Sequence, residues 1–216
     1  MSQLDFLGDP RVFKKAMNHL RKADPKLYRV ISKHGVINFN PQGEPFESLA
    51  ESIMSQQLGS KAASAIIERT RAACGGSLNA KALSKLDLRK LRKAGLSRNK
   101  AHYLKGLAST FLSGSLDLKS LKEKSDQELI NLLDPLKGIG PWTVQMFLIF
   151  TLGRSDVLPV DDFGIKKAIQ SVYSLKDVPD RETIERIGKS WHPYCSVASL
   201  YLWKHKDTTP ALKSKI

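Results

Sequence analysis

The chain has 216 residues, 41% apolar and 26% charged, values typical of a soluble globular protein of one large domain or two lobes and of a length that needs no staples. Thirty-five Lys and Arg against 21 Asp and Glu leave a net charge of +14, a surplus that fits a polyanionic partner and equally a basic solvated surface. Two cysteines, Cys74 and Cys195, show no CxxC or zinc spacing; a four-cysteine iron–sulfur cluster is excluded and a reducing compartment is expected.

The opening "MSQLDFLGDP" has no basic-then-apolar leader pattern, and the longest apolar run, "MFLIFTLG" at 146–153, is too short to span a bilayer. A soluble intracellular protein with no membrane partner is expected, in the nucleus if eukaryotic and otherwise in the cytoplasm. Apolar residues then recur at three- and four-residue steps through 10–23 and 25–34, with Gly35 as a stop. "NFNPQGEP" at 38–45 is turn-rich and marks a lobe boundary. A helix follows from Pro45, interrupted at Gly59-Ser60, where Ser60 is expected to cap the next helix over 61–76. Short helical pieces at 79–86 and 87–95 precede a longer one at 98–114. Ser125 with Glu128 forms a capping box for 125–133. Further helices are expected near 141–150, 161–173, 180–191 and 196–205, and "KSKI" at 213–216 reads as a short basic tail. Strand-like alternation is confined to "VINFN" and "DVLPV", too short for a sheet. The expected class is all-α, with about ten to twelve short helices.

"LKGIGPWTVQMFLIF" at 136–150 joins two of these helices. Gly138 and Gly140 allow a reversal in three residues, and Ile139 between them can plug the groove between the helices. Pro141 starts the second helix without losing a hydrogen bond. Uncovered backbone N–H groups at such a turn, backed by the helix dipole, suit a phosphate oxygen. The same turn also serves as a plain helix–helix connection.

Four blocks in order resemble the helix-hairpin-helix DNA glycosylase superfamily, within it the monofunctional 3-methyladenine DNA glycosylase II branch of bacteria and yeasts. They are "EPFESLAESIMSQQLGSKAA", "LKGIGPWTVQMF", "LPVDDFGIKKAI" and "WHPYCSVASLYLW", the last set against a family pattern W-P-[WY]-R-x-A-x-x-x-L-W. The resemblance implies two all-α lobes, 1–43 with 160–216 and 44–159, with the active site in the cleft between them. It implies excision of alkylated purines by base flipping and hydrolysis of the N-glycosidic bond, with damaged or abasic double-stranded DNA as partner.

Residue roles follow from that resemblance. Asp162 matches the catalytic carboxylate, which stabilises an oxocarbenium-like sugar; Asp161 is then left as a cap for the next helix. Trp142 stands where the glycosylase–lyases carry a nucleophilic lysine, so strong lyase activity is not expected. Trp142 and Trp191 match base-pocket positions, with core packing as the alternative for each. Gln57 and Leu58 match the minor-groove wedge, while Gly59 stands where the family has a polar residue. Gly138, Gly140, Lys137, Lys61 and Arg98, together with the turn Ser97-Arg98-Asn99-Lys100, are the expected phosphate contacts. No catalytic metal and no organic cofactor is expected; a monovalent cation, Na or K, at the hairpin with DNA bound is implied by the family. The histidines, His102 and His192 among them, show no metal-ligand spacing, and a monomer is expected. A damaged-site or abasic-site binding protein with little or no catalysis remains the alternative, with Gly59 pointing toward it and Asp162 and Trp142 pointing away.

Overall fold

The computed structural model describes residues 6–114, 116 and 118–209, excepting the side chains of 118 and 119. Among these there are thirteen helices and no strand beyond one antiparallel bridge, Phe6 to Arg154. In chain order they are α1 (Pro10–Ala23), α2 (Pro25–His34), α3 (Pro45–Ser55), α4 (Ser60–Ala73), α5 (Ala80–Ser84), α6 (Leu88–Lys93) and α7 (Arg98–Leu112). They continue as α8 (Leu118–Glu123), α9 (Asp126–Leu133), α10 (Pro141–Phe150), α11 (Phe163–Val172), α12 (Arg181–Gly188) and α13 (Cys195–Thr208). The basic tail at 213–216 lies outside the described residues.

Local signals set most helix starts. Proline occupies the first turn of α1, α2 and α3, where no N–H is needed. Asp9, Asp24, Asn79, Asp87, Ser97 and Asp180 each accept a backbone N–H of the helix they precede. Ser125 and Glu128 form the expected capping box. The start of α4 departs from expectation: Gly59 is its N-cap, with no side-chain bond, and Ser60 is already helical.

Two compact units result, Met1–Pro41 with Leu148–Ile216, and Gln42–Phe147. The second boundary was expected at 159/160 and falls at 147/148, inside α10. The reason is hydrogen bonding of the following loop to the segment before α1 and to α13. Leu7 N donates to Gly153 O at 2.8 Å, Ser196 N to Ser155 O at 3.0 Å, and Val157 N to Ser196 Oγ at 2.9 Å.

In the terminal unit α13 is the central element. Every residue from Cys195 to Leu202 is buried, and the helix packs on α1, α2 and α11. Its polarity is therefore absorbed internally: Ser196 and Ser199 both bond within the unit. In the other unit α7 is central, packing on α3, α5 and α6 through Ala101, Leu104, Leu107 and Ala108. Burying each such leucine contributes about 1.5–3 kcal/mol before entropy.

Candidate nucleic-acid interface and carboxylate site

The hairpin between α9 and α10 is built from two successive turns. Leu136 N donates to Leu133 O at 3.0 Å and Ile139 N to Leu136 O at 2.9 Å. Ile139 is 4% exposed and fills the core as expected. Gly138 has φ +89°, and a Cβ there would lie 2.5 Å from the Tyr103 ring, so both backbone and space demand glycine. Gly140 has a different use. A Cβ on it would meet nothing within 4 Å, so it leaves the backbone open to approach. Its carbonyl accepts Val144 N at 3.1 Å, which puts it at the cap position of α10. Among the described residues no acceptor takes the Gly138 or Gly140 N–H. These donors, at the positive end of α10, suit an anion.

The wedge segment is tied to this hairpin within the same unit. Gln56 Nε2 donates to Gly138 O at 2.7 Å. Gln57 takes φ +59°, which turns the chain out of α3, and Leu58 follows at 40% exposure. Lys100 departs from the phosphate role that its turn suggests: its Nζ donates to Met54 O at 2.8 Å and also to Gln56 O, closing the carbonyl end of α3. Burial lowers its pKa. Ser97 Oγ is likewise engaged, accepting Lys100 N as the cap of α7. Lys61, Arg98 and Lys137 are exposed, on the first turn of α4, at the start of α7 and in the hairpin. An open groove of about 520 Å³ runs along α7 beside the hairpin, lined by His102, Tyr103 and Lys137 among others. Trp142 stands in the first turn of α10 and is 46% exposed, an unusual position for a large indole.

Asp162 belongs to the terminal unit, at the N-cap of α11. Its Oδ1 accepts Ile165 N at 2.8 Å and Trp203 Nε1 at 2.9 Å. Gly164 keeps this corner narrow: a Cβ there would lie 3.0 Å from Asp162 Oδ1 and 3.3 Å from Trp203. The cap role expected of Asp161 therefore falls to Asp162. Asp161 instead forms ion pairs with Arg181 and Lys166. Beside it Phe163 is 57% exposed, with Lys167 Nζ 5.7 Å from its ring centroid.

Trp191 does not stand in a pocket. It is fully buried, and its Nε1 donates to Asp24 Oδ2 at 2.8 Å, so it is a core residue and no pocket wall. The same Asp24 accepts Tyr173 Oη and caps α2, so one buried carboxylate joins three elements. Burial and the neighbouring Asp24 raise the Tyr173 pKa.

No sequence motif gives a role to Trp203, Gln56, Tyr103 or Phe163. Trp203 was visible as the last residue of the fourth block, and Gln56 as the first glutamine of "SQQLGS". Nothing local marks Tyr103, which matters only because Gly138 packs on it.

An anion-ready hairpin with an exposed indole and a helix-capping aspartate a short way downstream belong to one family. Residues 50–193 match the HhH-GPD superfamily of base excision DNA repair proteins, and the chain is a member of it. It is 32% identical over 198 residues to the alkylbase DNA glycosidase-like protein mag2 of Schizosaccharomyces pombe, covering 89% of this chain and 93% of the relative. It is 35% identical over 198 residues to DNA-3-methyladenine glycosylase 1 of the same yeast, covering 88% and 86%. Among solved structures, the S. pombe 3-methyladenine DNA glycosylase Mag1 in complex with abasic DNA superposes with a TM-score of 0.81 at 33% identity, covering 90% of this chain and 98% of that one.

Proposed function

We propose that this protein is a monofunctional DNA glycosylase that excises alkylated purines of the 3-methyladenine type. The observation that carries the reading is the carboxylate of Asp162, held through Oδ1 by a backbone N–H and an indole N–H in a base excision repair fold.

The chemistry follows from charge. Cleaving the bond to an alkylated purine puts positive charge on the sugar. A carboxylate about 4 Å from that charge lowers its energy by roughly 4 kcal/mol at an effective dielectric of 20. Two fixed donors on Oδ1 mean that no reorientation is needed when the charge develops. The alkylated base is already cationic and leaves without an acid to protonate it, so a single carboxylate suffices. The Trp142 indole offers a π-face to such a cation, worth roughly 0.5–2 kcal/mol. Lacking an amine at this position, the protein makes no Schiff base there, and hydrolysis without strand scission is the outcome.

On the unit Gln42–Phe147 the roles divide by exposure. Leu58 fills the space of the flipped nucleotide and Gln57 reaches the opposite strand. Gly138, Gly140, Lys137, Lys61 and Arg98 take phosphates, which makes binding salt-sensitive. The Leu136, Gly138 and Gly140 carbonyls each accept one hydrogen bond, from Ile139, Gln56 and Val144, and an oxygen with a second lone pair fits Na or K. A cation held there would add positive charge toward the phosphate. We place the protein as a monomer on DNA, in the nucleus if its source is eukaryotic.

Gly59 favours a second reading, an abasic-site binder with weak catalysis. A side chain there would meet nothing within 4 Å, so the glycine is not required by packing and the wedge simply lacks a polar contact. Release of free methylated bases from alkylated DNA, by wild type and Asp162→Asn, separates the two. Release that disappears in the variant supports the enzyme; wild-type binding of abasic DNA without any release supports the binder.

A further inference from the structure

A second cluster of reactive side chains lies in the terminal unit, outside everything assigned above. Asp156 sits in the loop after α10, His192 precedes α13, and Cys195 is its first residue. One ligand atom from each falls within 4.8 Å of the other two. His192 Nδ1 is 2.8 Å from Asp156 Oδ2 and 3.6 Å from Cys195 Sγ. Asp156 Oδ1 accepts Cys195 N at 3.2 Å, which ties the carboxylate to the helix start.

We propose that Asp156, His192 and Cys195 form a binding site for a zinc-type divalent metal ion. Zinc is bound at about 2.3 Å by thiolate and about 2.0–2.1 Å by imidazole nitrogen, in a tetrahedron. Those bond lengths imply a sulfur–nitrogen separation of about 3.5 Å, close to the observed 3.6 Å. They imply about 3.3 Å between nitrogen and carboxylate oxygen, so the 2.8 Å pair opens by about half an ångström, within reach of side-chain rotation. One soft sulfur, one imidazole and one carboxylate is a donor set for zinc or cobalt and a poor one for magnesium or calcium. Access is graded: the Cys195 side chain is buried, whereas His192 and Asp156 are 53% and 34% exposed. An ion enters from the solvent side, meets sulfur at the bottom, and keeps a water as its fourth ligand.

Binding is balanced in protons. The Cys195 thiol loses its proton to solvent, His192 carries its remaining proton on Nε2, and Asp156 Oδ2 exchanges the imidazole for the ion. Without an ion, burial and the negative charge of Asp156 both hold the thiol protonated. No metal-ligand spacing marks the site, because Asp156 is remote in sequence from His192 and Cys195. The site is independent of the glycosylase reading, though it clips the loop to the helix that carries Trp203.

Cobalt(II) titration of the full chain, stripped with a chelator, tests the proposal. One equivalent should give a thiolate-to-cobalt band in the near ultraviolet with the visible bands of four-coordinate cobalt, and zinc should displace it. Cys195→Ser should lose the band, His192→Ala should weaken binding more than about tenfold, and Cys74→Ser should leave both unchanged. Absence of a saturable band, or a band that survives Cys195→Ser or vanishes with Cys74→Ser, overturns it and leaves a hydrogen-bonded triad. His192 is largely exposed, so its alanine variant still reports if the buried serine fails to fold.

Discussion

The indole N–H of Trp203 donates to Asp162 Oδ1 at 2.9 Å, and this bond joins α13 to the cap of α11. The carboxylate at the helix start is thereby oriented from the most buried helix of its unit. Trp203→Phe removes the donor and keeps most of the ring. A hydrogen bond to a charged group is worth about 1.5–3 kcal/mol, so base release should slow by roughly tenfold to a hundredfold. Affinity for abasic DNA should change little. Single-turnover rates measured beside binding curves check this; equal losses in both would mean that the tryptophan only supports the fold.

The two hairpin glycines should separate. Gly138→Ala meets both a positive φ and the Tyr103 ring, and is expected to cost about 1–3 kcal/mol of stability. Gly140→Ala meets no protein atom, so thermal stability should hold while DNA affinity falls. Denaturant unfolding with salt-dependent DNA titration distinguishes them. A Gly140→Ala variant that binds DNA as tightly as wild type would remove the hairpin from the interface.

Leu58 and Gly59 test the wedge. Leu58 is 40% exposed, so Leu58→Ala should move stability by no more than about 0.5 kcal/mol. Release of a damaged base from duplex DNA should nonetheless drop, and more so than from single strands. Gly59→Ser places a hydroxyl at an N-cap with open space around it, and should stabilise α4 by a few tenths of a kcal/mol. If Gly59→Ser also raises excision, the missing polar contact limits catalysis.

Trp191→Phe should behave as a core defect. It leaves buried Asp24 with one donor fewer, for a loss of about 1–3 kcal/mol. The rate of base release per folded molecule should be unchanged, measured below the melting transition. A rate defect with normal stability would return Trp191 to the pocket.

His34 and His205 predict a pH effect. Their rings meet edge-on at 6.1 Å, and His34 Nε2 is buried without a hydrogen bond among the described residues. Burial is the chief cause that lowers both pKa values below the ordinary 6.5; Lys33 also lowers both, and Lys204 and His205 lower that of His34. With folded values below the unfolded one, the unfolded chain takes up more protons as pH falls under 6.5. Stability from this pair is present above that pH and is lost below it. Melting temperatures from pH 7.5 to 5 should fall less steeply in His34→Gln than in wild type; parallel slopes would clear the pair of the effect.

The order of helices and the hairpin were legible in the sequence because their causes are local. Proline at a first turn, an aspartate before a helix and glycines at a reversal act within a few residues. The four-block order likewise led to the superfamily, since it needs no coordinates. What each side chain does once folded depended on partners far away in the chain. Lys100 became a cap through Met54 and Gln56, and Trp191 became core through Asp24. Asp162 took the cap expected of Asp161 and gained Trp203. The loop after α10 changed units through its bonds to Leu7 and Ser196. Burial and long-range hydrogen bonding decide between a pocket wall and a core residue, or between a phosphate contact and a cap. Neither has a period or a spacing that a sequence displays, so tertiary structure alone assigned them.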